Sequence, residues 1–182
     1  MGQTINNIIS EPSFGTVLGS YKNVEAYSNS RINHNSGKNY INKHYTGYKY
    51  QCVEYSRRFL IITKQITFAN IKCAYNIWDL IVFQNLITGE NFDILKFENG
   101  SFIPPKEDCL LIYNKGYKIP YGHVAVITKV NLSKGYVKIA EQNEREKIWK
   151  RNYARKLYIK CSQGKFIIQD KYPIIGWVVY EN

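Results

Sequence analysis

The chain of 182 residues is poor in several things, and each shortage excludes something. No apolar run approaches the ~18–20 residues that cross a bilayer. The longest candidates, residues 59–62 and 173–180, are the size of a strand or a short helix. Residues 1–15 have neither a basic stretch nor an apolar one, so no secretory leader is expected and a cytoplasmic location is. Gly2 could open a myristoylation signal, but Asn6 stands where that motif needs Ser or Thr. Cysteine is sparse: Cys52, Cys73, Cys109 and Cys161. No pair has the close spacing of a zinc site, and four are too few for a disulfide scaffold. Reduced thiols, no metal and no cofactor are therefore expected. Histidine is scarcer still, with His34, His44 and His123 alone.

Acidic residues are outnumbered 14 to 25, a net charge of +11. Basicity of this kind attracts nucleic acid or an anionic surface. Coding bias explains it without a partner: 24 Ile, 19 Lys, 18 Asn and 16 Tyr all have AT-rich codons, and Lys outnumbers Arg 19 to 6. The densest basic stretch, residues 145–155, is tempered by Glu144 and Glu146. Nucleic acid is thus not an expected partner, nor is a membrane.

What is present suits a globular protein, with 45% apolar and 21% charged residues. A length of 182 residues matches a single domain over 1–182. Residues 27–49, rich in Asn, Ser, Gly, Tyr and Lys, read as a long loop. Cys52, Tyr55, Ser56, Phe59 and Leu60 then recur at the spacing of one helical face. A second helix is expected over 73–83, around Trp78. Beyond it the period becomes two, with strands expected at 109–113, 123–130, 135–141, 156–160 and 174–180. Helices followed by antiparallel strands predict an α+β fold, N-terminal helices packed on an antiparallel sheet.

His123 opens one of these strands. A three-residue turn at 131–133 would put Glu141 opposite it; a five-residue turn at 131–135 would put Asn143 there. Either register places His123, Glu141 and Asn143 on one face. Cys52 lies in the first turn of its helix, where the helix dipole and a nearby imidazole both favour thiolate. A helix-borne thiol, a strand-borne histidine and a polar residue that orients the imidazole make a nucleophilic set.

The run Tyr50-Gln51-Cys52-Val53-Glu54-Tyr55-Ser56-Arg57-Arg58-Phe59-Leu60, then Gly122-His123-Val124-Ala125-Val126-Ile127-Thr128, then Ile139-Ala140-Glu141-Gln142-Asn143 resembles the CHAP amidase domains of glutathionylspermidine synthetase/amidase and trypanothione synthetase. Gly15-Thr16-Val17-Leu18-Gly19, Phe97-Glu98-Asn99-Gly100-Ser101 and Ile175-Gly176-Trp177 extend the resemblance over nearly the whole chain. It implies a papain-like cysteine amidase cleaving the glutathione–polyamine amide. Cys52 would be the nucleophile, His123 the general base and acid, and Glu141 the residue orienting His123. Gln51 and Asn143 would serve the oxyanion hole or the layer behind it. Arg57 would bind the anionic glutathione part; the alternative is an exposed helix arginine. The family's fused synthetase domain has no counterpart in these residues, so cleavage alone is expected. A chain this basic needs local acidic groups to hold a polyamine, and Glu25, Glu54 and Glu141 are the candidates. Peptidoglycan hydrolysis, common among CHAP domains, and a non-catalytic basic binding module are the alternative functions.

Overall fold

The computed structural model describes residues 11–31, 34 and 36–180. The Gly2–Asn6 stretch lies outside them. The chain begins with two antiparallel hairpins, β1 (Val17–Tyr21) with β2 (Val24–Tyr27) and β3 (Lys38–Ile41) with β4 (His44–Tyr48). The second hairpin occupies about half of what the composition marked as loop. Its strands hold almost no aliphatics, so the usual signal of alternation is missing; Tyr40 and Tyr45 pair across it instead.

The helix α1 (Cys52–Lys64) follows, and Cys52 is its first residue. It ends where Gln65 turns left-handed (φ 55°) and returns its N–H to the Ile61 and Leu60 carbonyls. The expected face, Cys52, Tyr55, Ser56, Phe59 and Leu60, is buried, but so are Glu54, Arg57 and Arg58. The N-terminal hairpins cover the side that the sequence assigned to solvent.

The expectation of several N-terminal helices on the sheet is not met. The described residues hold one α-helix and one turn of 3-10 helix (Ala74–Asp79), and the rest of the regular structure is strand. The second expected helix stops at Leu80, whose backbone is extended, and the chain enters β6 (Val82–Asn85). Tyr, Asn, Trp and Asp are weak helix formers. Asn76 and Asp79 spend their side chains on local bonds instead, Asn76 Oδ1 accepting from the Cys73 N–H and Asn76 Nδ2 donating to Asp79. A small sheet joins β5 (Ile66–Thr67), β6 and β7 (Asn91–Asp93).

The main sheet comprises β8 (Leu95–Glu98), β9 (Leu110–Tyr113), β10 (His123–Asn131), β11 (Tyr136–Ala140), β12 (Arg155–Ser162), β13 (Lys165–Gln169) and β14 (Ile174–Val179). All five predicted strands are in it. The order is β13-β12-β11-β10-β9-β14-β8, antiparallel throughout. The sheet curls until its ends meet: Gly100 N–H donates to the Phe166 carbonyl and Phe166 N–H to Ser101. Ala125, Ile127, Val137, Ile139, Leu157 and Trp177 fill the concave side. Val124, Val126, Ala140 and Ile112 pack against Tyr55, Phe59 and Leu60 of α1 on the other.

Near His123 the β10–β11 register is the second of the two anticipated, with Asn143 opposite, although the turn is not the expected five-residue loop. Asn131 pairs with Tyr136 at the turn, and a bulge between Ile127 and Lys129 shifts the pairing to Ile127–Ile139 and Val126–Ala140. Continued to the strand start, this puts Asn143 across from His123 and Glu141 on the diagonal, still within reach of a long side chain.

Candidate active site

The antiparallel order brings one end of five neighbouring strands together. Tyr113 closes β9, His123 opens β10, Glu141 follows β11, Arg155 opens β12 and Asp170 follows β13. Their side chains form a continuous buried row. His123 Nε2 lies 2.9 Å from Glu141 Oε2. Arg155 grips both oxygens of Glu141, through Nε to Oε1 and through Nη2 to Oε2 at 3.0 Å. Its Nη1 donates to Asp170 Oδ2 at 2.7 Å, and the Tyr113 hydroxyl donates to the same oxygen at 2.8 Å. His123 and Glu141 are each 3% exposed and Arg155 7%, so these charges answer to each other rather than to water.

Cys52 meets the other side of the imidazole. Cys52 and His123 line the same cavity, and with Nε2 held by Glu141, Nδ1 is the nitrogen left for sulfur. Burial pushes the Cys52 thiol up, but the charge and hydrogen bond of His123, with the backbone N–H groups of Val124 and Val53, bring it below the ordinary thiol value. Burial would lower His123, yet Cys52 and then Glu141 raise it. Burial likewise works against ionisation of Glu141, and His123 and Arg155 overcome it, leaving the carboxyl well below its ordinary value. The arrangement favours a thiolate–imidazolium pair backed by a fixed carboxylate.

Cys52 and His123 open into a cavity of about 770 Å³. Tyr40, Tyr45 and Tyr48 of the second hairpin form one wall, and Lys38, Lys72 and Lys118 also line it. Glu144 is the one carboxylate among the described lining residues, and it is paired with Lys171 at 2.6 Å. No group of three or more His, Cys, Asp or Glu among the described residues could hold a metal.

The other anticipated residues fall as follows. Gln51 caps α1 and lines the cavity, but its carboxamide is engaged: Nε2 donates to the His34 carbonyl at 2.8 Å and Oε1 accepts from Asn143 Nδ2. Asn143 in turn accepts from Asn29 Nδ2, so it braces the helix start from behind. Arg57 is not an exposed helix arginine. It is 2% exposed, donates to the Thr46 and Ala69 carbonyls at 3.0 and 3.1 Å, and stacks on Phe68. Burial, only partly offset by Tyr45 and Glu54, brings its guanidinium down to about 10. It still contributes to the cavity lining. Of the candidate acidic groups, Glu54 is locked to Arg58, Gln142, Asn39 and Thr46, Glu25 accepts from Tyr27, and Glu141 serves His123. None of them lines the cavity.

Sequence reasoning missed Arg155, Asp170, Tyr113 and Gln142. Arg155 lies one residue before the predicted strand, and extending that strand backwards would have set it opposite Ile139, two residues from Glu141. Gln142 is 1% exposed. Its Nε2 donates to the Gln51 carbonyl and to Glu54, and its Oε1 accepts from the Tyr27 N–H and from Arg58. It therefore clamps the start of α1 to the strand that carries Glu141.

A helix-borne thiol beside a strand-borne, carboxylate-held imidazole, in a mostly β fold, is an arrangement suited to nucleophilic chemistry. Residues 43–143, over half of the sequence, match the CHAP domain family, and the chain belongs to it. It is 34% identical over 180 residues to trypanothione synthetase of Crithidia fasciculata, covering 93% of this chain and 27% of that protein. It is 32% identical over 148 residues to the bifunctional glutathionylspermidine synthetase/amidase of Escherichia coli strain K12, covering 78% and 24%. A glutathionylspermidine synthase of Crithidia fasciculata is 29% identical over 140 residues, covering 74% and 19%. The chain thus spans about a quarter of the length of these relatives. An amidase-type function follows at the level of the family.

Proposed function

We propose that the protein is a cysteine amidase of one domain that hydrolyses the amide between glutathione and a polyamine such as spermidine. The observation that carries this reading is Cys52 and His123 together in the cavity lining, with Glu141 bonded to the imidazole behind them, in a chain similar to a protein named for an amidase. Cys52 sulfur attacks the amide carbon and the carbonyl π electrons move to oxygen. The first-turn N–H groups of α1, which have no carbonyl partner within the helix, face that developing charge. As the oxyanion collapses the C–N bond breaks, and His123 gives its proton to the leaving amine. Water then attacks the thioester, His123 takes a proton from it, and the carboxylate product leaves with Cys52 restored. Glu141, held by Arg155, keeps the imidazole oriented through both steps. Lys38, Lys72, Lys118 and Arg57 line the cavity and suit the free α-carboxylate that the glutathione half keeps when its glycine carboxyl is in the amide.

The test pairs substrates. Purified protein is incubated with glutathionylspermidine and, separately, with purified bacterial cell walls, and the products are followed by mass spectrometry. Release of glutathione and spermidine with intact walls is expected. Solubilised walls beside an intact conjugate would replace this reading with peptidoglycan hydrolysis. Neither product would favour a binding module.

A further inference from the structure

Lysines spread along the chain converge on one surface far from the cavity lining. In β10, β11 and β12, Lys129 pairs with Lys138 and Lys138 with Lys156, so three lysines stand side by side across three strands. The next row on the same face is Asn131, Tyr136, Tyr158 and Gln169, and the row after it holds Lys160 beside Ile167. This is the face that α1 covers further along, at Val126 and Ala140; where the helix layer ends, the face is open. Lys129, Lys156 and Lys160 are exposed, and so is Tyr158 at 57%.

Like charges directly opposed in a sheet work against folding, and none of these four lysines has an ion pair among the described residues. What they have is aromatic. Lys138 lies 4.3 Å from the centre of the Tyr153 ring, and Lys156 lies 4.4 Å from that of Tyr136. Tyrosine rings and the half-buried Ile167 fill the space between the charges. On this outward face of the curled sheet, rows of cations separated by rings match a chain of phosphates whose bases stack. A membrane surface would be met better by protruding aliphatic side chains. The geometry points to a binding site for single-stranded nucleic acid on the open face of β10–β12, separate from the cavity.

Fluorescence anisotropy with a labelled oligothymidylate, titrated at several salt concentrations, tests it on the full chain. Four lysine–phosphate contacts give a slope of log affinity on log salt of about −3, or about 50-fold weaker binding at 200 mM than at 50 mM salt. The variant with Lys129, Lys138, Lys156 and Lys160 changed to Gln should bind at least tenfold more weakly with a nearly flat slope. A variant of equal net charge, with the exposed Lys43, Lys115, Lys147 and Lys150 changed to Gln, should bind like wild type. Tyr158→Ala should weaken binding several-fold while leaving the slope unchanged. Unchanged alkylation of Cys52 in the first variant establishes that it is folded. The site is refuted if both quadruple variants lose affinity equally, if duplex binds as tightly as single strand, or if no binding occurs. It is also refuted if phosphatidylserine vesicles bind the protein while the oligonucleotide does not.

Discussion

Glu141 is held by two cations of different kinds, and that decides what its removal does. With His123 on one oxygen and Arg155 on both, Glu141→Gln takes away the group that orients the imidazole and half of what neutralises a buried guanidinium. Loss of the orienting carboxylate in such a set costs on the order of 10³–10⁴ in turnover, and breaking a buried ion pair costs about 3 kcal/mol. The stability cost depends on pH in both directions. Glu141 is depressed when folded, so its contribution is complete above the ordinary 4.5 and fades as pH falls toward the folded value. His123 is raised, so its contribution is complete below the ordinary 6.5 and fades as pH rises toward its folded value. Thermal unfolding of wild type and Glu141→Gln should therefore differ most between about pH 4.5 and 6.5. Cys52 should be alkylated by iodoacetamide quickly even at pH 6, where an ordinary thiol of pKa ~8.5 is under about one per cent ionised. His123→Ala should abolish that low-pH reactivity. Cys52, His123 and Glu141 were legible in the sequence because helix and strand periods fix where each points. Arg57 was not, because the hairpins that bury it come from residues 38–48, where hydrophobic alternation is absent.

The start of helix α1 and the end of strand β11 are joined by two adjacent side chains, Gln142 and Asn143, and Gln142 makes the more bonds. Gln142→Ala would leave the Tyr27 N–H without its partner and remove one from the Gln51 carbonyl, both part-buried, and one from the fully buried Glu54. At 1–3 kcal/mol for each buried group left unsatisfied, the loss should be about 3 kcal/mol. Alkylation of Cys52 should slow too, because the start of α1 is less firmly fixed against β11. The Gln142→Glu variant, which keeps an acceptor for Tyr27 but opposes Glu54 with a like charge, should be no better. The strands of the main sheet were readable where apolar and β-branched residues alternate, as in β10 and β14. The expected second helix failed because apolar spacing around Trp78 cannot distinguish a helix from a 3-10 turn followed by a strand. The β10 bulge was invisible because no turn length announces it.

Part of the positive charge gathers in two places once the chain is folded. One share lines the cavity, where Lys38, Lys72 and Lys118 face a single carboxylate among the described lining residues. Changing Lys72 and Lys118 to Gln should raise KM for glutathionylspermidine several-fold with little effect on kcat. The difference should shrink at high salt, where the Debye length falls to about 3 Å at 1 M. Another share lies on the open face of β10–β12, which the linear sequence could not reveal because its lysines are spread over 32 positions and three strands and meet through strand pairing. Among the described residues no helix is long and apolar enough to cross a membrane. The decisive measurement is hydrolysis of glutathionylspermidine by wild type beside Cys52→Ala, with acid-quenched samples mapped for an adduct. Wild type should release glutathione and spermidine, and any trapped adduct should add glutathione less one water to the peptide containing Cys52. Cys52→Ala should leave the conjugate intact. Turnover at the wild-type rate by Cys52→Ala, or an adduct on another residue, would contradict a Cys52 nucleophile.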